Sequence, residues 1–381
     1  MTMTEESVRG ALDAAETIVV KIGSALLTDP AHGLAHDLMA RWCAEISGLL
    51  AAGKRVLLVT SGAVAEGVNR LGLAQWPSSV HELQAAAAVG QMGLIQAYEQ
   101  AFAAHGRHTA MVLLTHDDLA DRQRYLNARS TLTTLLEFGV VPVINENDSV
   151  ATEEIRFGDN DTLAALVTNL LQAELLIVLT DTDGLYEADP RTVADARFVP
   201  FARAGDATLN TMVAGSGRLG RGGMITKLKA ARLAARSGAN TVIANGRAAD
   251  VLKRIVAGET IGTLLAADVA PLDARKRWIA GLLKAAGELE LDAGAVTALI
   301  HKGVSLLPVG VVNVSGNFSR GELVRCLDSQ GALIAQGLSN YSSEETRRVL
   351  GVASQDIADR LGYSFEPELI HRDNLVVLND A

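Results

Sequence analysis

The sequence predicts an α/β protein built on a mainly parallel sheet, followed by a smaller, β-rich domain. From residue 17 onward, short runs that are apolar at every position alternate with Ala- and Leu-rich stretches at helical spacing. Strands that are apolar throughout, each followed by a helix, mark a parallel sheet covered on both faces. After about residue 265 the alternation stops, and short strand-like pieces with glycine turns replace it. The 381 residues, 49% apolar and 20% charged, suit two domains with a large core and argue against disorder.

The strand candidates are residues 18–20, 56–59, 111–114, 140–144, 175–179 and 241–244. Helical spacing runs through residues 35–52, 82–104, 121–138, 162–171 and 226–237. Residues 271–278 (PLDARKRW) read as a connector, and 310–315, 322–327 and 333–339 read as strands of the second domain. There is no low-complexity tract and no fixed-period repeat.

Charge and composition exclude several classes. A net charge of −10 argues against a sequence-independent grip on nucleic acid or on an anionic membrane, both of which rest on many Lys and Arg contacts. The two cysteines, Cys43 and Cys326, have no zinc, iron–sulfur or redox-pair spacing and read as small buried hydrophobes. The first ten residues are polar and acidic, so no signal peptide is expected. No run approaches the roughly 20 apolar residues of a membrane span. A cytoplasmic protein is expected.

Ligands of parallel sheets bind beyond the carboxyl ends of the strands, so chemistry is sought just after each apolar run. The first run leads into Lys21, Gly23 and Ser24, where small residues let backbone N–H groups approach an anion. No GxxxxGK[ST] is present, so this is not a Walker A loop. The second run ends in Thr60-Ser61-Gly62, which could equally terminate a strand and cap a helix. The fourth-strand segment is followed by Asn145-Glu146-Asn147-Asp148-Ser149, and soon by Gly158-Asp159-Asn160-Asp161-Thr162. Glu153 and Glu154 lie between the two. A solvated acidic loop leaves unexplained why acids and asparagines follow a fully apolar strand so closely. A calcium loop would need the D-x-[DN]-x-[DN]-G spacing, which is missing. The cluster suits an ammonium group, a metal–phosphate complex, or both. Thr180-Asp181 follows the fifth strand, and Gly215-Ser-Gly-Arg-Leu-Gly-Arg-Gly-Gly-Met-Ile-Thr-Lys227 opens a helix. Glycine-rich backbone at a helix N-terminus with a lysine beside it is a ready anion site.

In order and in wording, these segments resemble the amino-acid kinase family. The most telling stretch is residues 121–161, with RYLNAR and VVPVINENDSVATEEIRFGDNDTLAA. The resemblance runs from about residue 17 to the end. From Gly287 the chain resembles a PUA domain, with NFSRGELV at residues 317–324 as the specific cue. It implies a three-layer α/β sandwich over residues 14–266, a linker at 267–286 and a PUA-like domain at 287–370. The implied reaction is transfer of the ATP γ-phosphoryl group, with Mg2+, to the side-chain carboxylate of glutamate, at the start of proline synthesis. Two unit charges 4 Å apart repel by about 4 kcal/mol even at an effective dielectric near 20. Catalysis of this kind is therefore positioning and charge neutralisation. The acceptor is already ionised, so no catalytic histidine is required.

By resemblance, Lys21 and Lys227 face the phosphates and Asp161 organises them. Ser61, Asp148 and Asn160 match substrate-binding positions, with Asp159 a weaker candidate. Lys21, Thr180, Asp181 and the run Arg221, Gly222, Gly223, Met224, Ile225, Thr226 and Lys227 match nucleotide-binding positions. Arg221 departs from the pattern, standing where a small residue is usual. No protein side chain is assigned to the metal. The resemblance also implies inhibition by proline, a homodimer or homotetramer, and transfer of the acyl phosphate to a following reductase. The alternatives are sister kinases of acetylglutamate, aspartate, carbamate or UMP, an RNA-binding PUA protein, and an inactive relative. The NENDSVA and GDNDTLAA pair favours glutamate among the kinases, and every matched lysine and aspartate is present. Residues 287–381 hold 7 basic against 13 acidic residues, so RNA binding is not expected.

Overall fold

The computed structural model describes residues 4–29, 33–151, 160–190, 192–193, 195–214, 223–268 and 285–378. The chain divides into two compact units, residues 1–120 with 127–271 and residues 121–126 with 272–381.

From the N-terminus the elements are α1 (Glu5–Gly10), β1 (Thr17–Ile22), α2 (Ser24–Leu27), a small hairpin of β2 (Thr28–Asp29) and β3 (Gly33–Leu34), and α3 (His36–Ala51). Then come β4 (Arg55–Val59), α4 (Ala63–Arg70), α5 (Val80–Ala103), β5 (Thr109–Leu114), α6 (His116–Ala120), α7 (Arg122–Glu137) and β6 (Val141–Glu146). They continue with α8 (Asn160–Leu171), β7 (Leu175–Thr180), β8 (Phe201–Arg203), α9 (Leu209–Ala214), α10 (Met224–Ala235), β9 (Asn240–Asn245), α11 (Val251–Val256) and β10 (Thr263–Ala266).

Among the described residues of the first unit, eight strands form one sheet in the order β5-β6-β4-β1-β7-β9-β10-β8. Neighbours are parallel except β9 and β10. The expected mainly parallel α/β sheet is therefore what forms, and the burial explains it. Ile18, Val20, Ile22, Val56 and Leu58 join Trp42 of α3, Tyr98 of α5 and Leu252 of α11 in one core. Their chain neighbours Val19, Leu57 and Val59 point the opposite way and are equally buried, because side chains alternate along a strand. Helices α8 and α10 pack on this second face, against β1 and β9.

Several boundaries differ from the sequence reading, and two of them bear directly on the site. β6 runs on through Asn145 and Glu146, because Leu113 and Leu114 of β5 offer them a continuing ladder. Helix α8 begins at Asn160 rather than Thr162, which puts Asn160 and Asp161 in its first turn. The sequence reading also passed over α4, α11 and the short strands β8 and β10.

In the second unit, β11 (Gly287–Leu291), α12 (Ala293–Lys302), β12 (Val311–Gly316), β13 (Leu323–Leu327) and β14 (Leu333–Leu338) are followed by α13 (Ser343–Arg348), α14 (Ile357–Leu361) and β15 (Leu375–Val377). The strand order is β12-β11-β13-β14-β15, with only β11 and β13 parallel among neighbours. Leu289, Phe318, Val324, Cys326, Tyr341 and Ile357 share its core. The NFSRGELV stretch serves that core. The Phe318 carbonyl accepts from the Ser343 amide at 2.8 Å, and the Ser343 hydroxyl donates to Asn317 Oδ1 at 3.0 Å. The Phe318 ring lies so close to Gly287 that a Cβ there would come within 2.4 Å of it. The Arg320 guanidinium stacks on the Phe365 ring at 4.2 Å. The connector at 271–278 lies outside the described residues. Among the described residues no helix is long and apolar enough to cross a membrane.

Candidate active site

The parallel strands β1, β4, β6 and β7 end at one edge of the sheet, and their last residues lead into the site. Lys21 shares the alternation of Val19, so its side chain leaves β1 on the face that carries α8 and α10. Gly23 follows, its amide donating to the Leu179 carbonyl of β7 at 3.1 Å.

Asp161, in the first turn of α8, is the hub. Lys21 Nζ lies 2.6 Å from Asp161 Oδ1, and Lys227 Nζ lies 3.3 Å from Asp161 Oδ2. The Thr226 hydroxyl also donates to Oδ2, at 2.6 Å. Lys21, Lys227 and Asp161 are 3%, 4% and 0% exposed, so two ammonium groups and one carboxylate are held away from bulk water. Burial by itself would push the Asp161 carboxyl up. The charges of Lys21 and Lys227, with hydrogen bonds from Lys21 and Thr226, outweigh it and bring it down to about 2. The N-terminal end of α8 favours the same anion. Burial pulls the Lys227 ammonium below the ordinary lysine value of 10.5, Asp161 opposing this and Lys21 reinforcing it.

Next to the hub lies a patch of amides and hydroxyls. The Asn160 amino group stands 2.8 Å from the Thr60 carbonyl, 2.9 Å from Ser61 Oγ and 2.8 Å from Asn145 Oδ1. Asn145 donates in turn to Gln91 Oε1 at 2.9 Å. Thr60 Oγ1 pairs with the Tyr98 hydroxyl at 2.9 Å. Ser61 leads into Gly62, whose φ of 97° is left-handed and lets the chain turn from β4 into α4. Asp148 is 5% exposed, in a turn held by the Asn147 amide on the Leu114 carbonyl at 3.0 Å.

Thr180 closes β7 and donates to Asp181 Oδ1 at 3.2 Å. Asp181 is exposed, and its charge is felt by Lys227. Gly223 precedes α10, and Met224, Ile225, Thr226 and Lys227 form its first turn. Asp159, Glu153, Glu154, Arg221 and Gly222 lie outside the described residues. Gln91 and Tyr98 were not singled out in the sequence, since both sit inside an Ala-rich helix with no local pattern to mark them.

Two cations sharing one anion leave a net positive charge, an arrangement suited to attracting an anionic group. The neighbouring amides and hydroxyls offer donors and acceptors suited to a small polar ligand.

The model of the amino acid kinase family matches residues 16–245, and that of the PUA domain matches residues 287–361. A protein of Nitrosospira multiformis named glutamate 5-kinase is 59% identical over 368 residues, covering 96% of this chain and 99% of that protein. One of Chromohalobacter salexigens with the same name is 58% identical, covering 99% of this chain and 100% of the relative. Among solved structures, a UMP kinase from Bacillus anthracis aligns at 16% identity with a TM-score of 0.47, over 67% of this chain and 97% of that one.

Proposed function

The chain belongs to the amino acid kinase family, and from that premise we propose that it transfers the γ-phosphoryl group of ATP to the side-chain carboxylate of glutamate, giving γ-glutamyl phosphate and ADP. The single observation that carries this reading is the pair of buried lysines converging on Asp161, at 2.6 and 3.3 Å, beside a patch that can hold an amino acid.

In this reading Lys21 and Lys227 stand on either side of the transferring phosphoryl group, and Asp161 fixes both ammonium tips before substrate arrives. Preorganised charge of this kind stabilises the transition state without reorganisation during reaction. Ser61, Asn160 and Asp148 hold glutamate, with Asp148 taking the ammonium group. Thr180, Asp181 and the run from Gly223 to Lys227 hold the nucleotide. The glutamate carboxylate is ionised at neutral pH and attacks directly, so no side chain has to remove a proton.

The oxygens of Asp161 are engaged by Lys21, Lys227 and Thr226, whereas Asp181 is exposed at the end of β7. This donor set fits a magnesium ion that arrives on the phosphates, with Asp181 as the protein carboxylate that would hold it. Bound there, the ion supplies part of the charge neutralisation.

The catalytic domain is assigned to residues 14–266 and a PUA-like domain to 287–370, joined by a linker at 267–286. The reading extends to a cytoplasmic homo-oligomer, inhibited by proline, that passes its acyl phosphate to a reductase.

The test is ATP turnover by the full chain with glutamate beside acetylglutamate, aspartate and UMP, the acyl phosphate being trapped with hydroxylamine. Glutamate is expected to give the highest kcat/KM and a hydroxamate product. A higher kcat/KM for another acceptor overturns the reading.

A further inference from the structure

We infer that Gln91, in the middle of α5, is a positioning residue for the acceptor pocket: it fixes the amide orientation of Asn145 and, through it, the donors of Asn160. The inference rests on the glutamate-phosphorylating reading above and deepens it.

The orientation follows outward from one fixed point. The Thr60 carbonyl can only accept, so the Asn160 atom 2.8 Å from it is the amino nitrogen. That nitrogen also faces Asn145 at 2.8 Å, so Asn145 presents its carbonyl oxygen there. The Asn145 amino group must then point away, toward Gln91, where it needs an acceptor. Gln91 supplies one with Oε1 at 2.9 Å, and its own amino group turns to the Met111 sulfur of β5 at 3.3 Å. A Gln91 amide turned the other way would set two amino groups against each other.

The consequence falls on Ser61. The Asn160 amino group has two hydrogens and three oxygens within 2.9 Å. When the Thr60 and Asn145 carbonyls hold both hydrogens, the Ser61 hydroxyl is left to serve the substrate. If the Asn145 oxygen swings away, an Asn160 hydrogen turns onto Ser61 Oγ, takes up one of its lone pairs and reorients the hydroxyl that the substrate meets. Gln91 therefore acts on glutamate without touching it, and has no path of this kind to the nucleotide segments around Thr180 and Gly223.

The experiment compares wild type with Gln91→Met, which keeps the length and removes both amide atoms, and with Gln91→Glu, which keeps only acceptors. Loss of an oriented, partly buried hydrogen bond predicts a roughly tenfold rise in KM for glutamate in Gln91→Met, with KM for ATP within about twofold. Gln91→Glu is expected to recover to within about threefold of wild type, because Asn145 needs only an acceptor. An unchanged glutamate KM in Gln91→Met, a parallel rise in both KM values, or equal impairment of the two variants overturns the inference. A double-mutant cycle of Gln91→Met with Asn145→Ala, read by urea unfolding, needs no substrate. Non-additive midpoints support the coupling and additive ones refute it. Absence of glutamate turnover in the wild type would refute the functional reading, and the cycle would still decide the Gln91–Asn145 coupling.

Discussion

At the scale of single residues, the site turns on a charge count. With two buried ammonium groups around one carboxylate, removing a lysine leaves a balanced pair, whereas removing the aspartate leaves two like charges facing each other. Lys21→Met and Lys227→Met are therefore expected to keep their stability and to lose about a hundred- to thousandfold in kcat, the usual effect of deleting one preorganised donor. Wild-type turnover in either would contradict their role. Asp161→Asn is expected to lose roughly 3–5 kcal/mol of stability as well as activity, since the uncompensated charges stay buried. That difference has a defined pH window. The carboxyl has an ordinary value of 3.8 and is lowered to about 2 in the folded protein. A lowered carboxyl stabilises the fold above the unfolded value and ceases to do so as the pH falls through the folded one. In urea titrations the gap between wild type and Asp161→Asn should thus be full near neutrality and shrink between pH 3.8 and about 2. A gap constant across that window would count against it. At the alkaline end, Lys227 releases its proton below 10.5, so the basic limb of kcat/KM is expected there. Lys227→Arg should shift that limb upward even at reduced activity, because a guanidinium does not deprotonate in this range.

Elements translate that chemistry into positions, and the crossing of α4 and α5 is the most demanding case. A Cβ at Gly90 would come 1.9 Å from the Ala63 carbonyl oxygen, and one at Gly67 would come 1.7 Å from the Ala86 carbonyl oxygen. The two helices touch backbone to backbone. In a free helix Gly→Ala is worth about 1 kcal/mol of gain, but here the contact is with rigid carbonyls and the sign reverses. Gly90→Ala must push α4 away from α5. Since α4 starts two residues after Ser61, the displacement reaches the acceptor pocket before it reaches the nucleotide segments. A lower melting temperature with a larger rise in KM for glutamate than for ATP is expected, and a variant more stable than wild type would disprove the close crossing. This crossing was not legible in the sequence, where Gly67 and Gly90 look like ordinary interruptions of Ala-rich stretches. Strands β1, β4 and β7 were legible because their central runs, residues 18–20, 56–59 and 175–179, are apolar at every position and buried on both faces. The short strands β8 and β10 were not, having only three and four residues. The start of α8 at Asn160 was also obscured, as asparagine and aspartate read equally well as loop or first turn.

Over the whole molecule, the two units each bury a separate core, and the segments that could be matched to chemistry all fall in the first. Lys21, Asp161 and Lys227 could be foreseen because Lys21 closes an apolar run near the end of β1 and the other two lie in the first turns of their helices, where a parallel sheet puts its ligands. Gln91 and Tyr98 could not, since their partners lie 54 and 38 residues away and only the folded sheet brings them together. The second unit presents the opposite situation: its most recognisable motif, around Phe318, is absorbed in packing that unit, while its sign of charge bears on what it can bind. Residues 287–381 carry 7 basic and 13 acidic side chains on a chain whose net charge is −10. Binding to a phosphate backbone draws its affinity from cations that displace counterions, about one for each phosphate met. Here the long-range field works against approach, and the arginine stacked on Phe365 is engaged inside the unit. The full chain is therefore expected to leave a structured RNA unshifted in a gel even at about 50 mM salt, where such attraction is strongest. Retention that weakens steeply as salt is raised would show that local basic groups overcome the acidic surface, and would return the second unit to a nucleic-acid role.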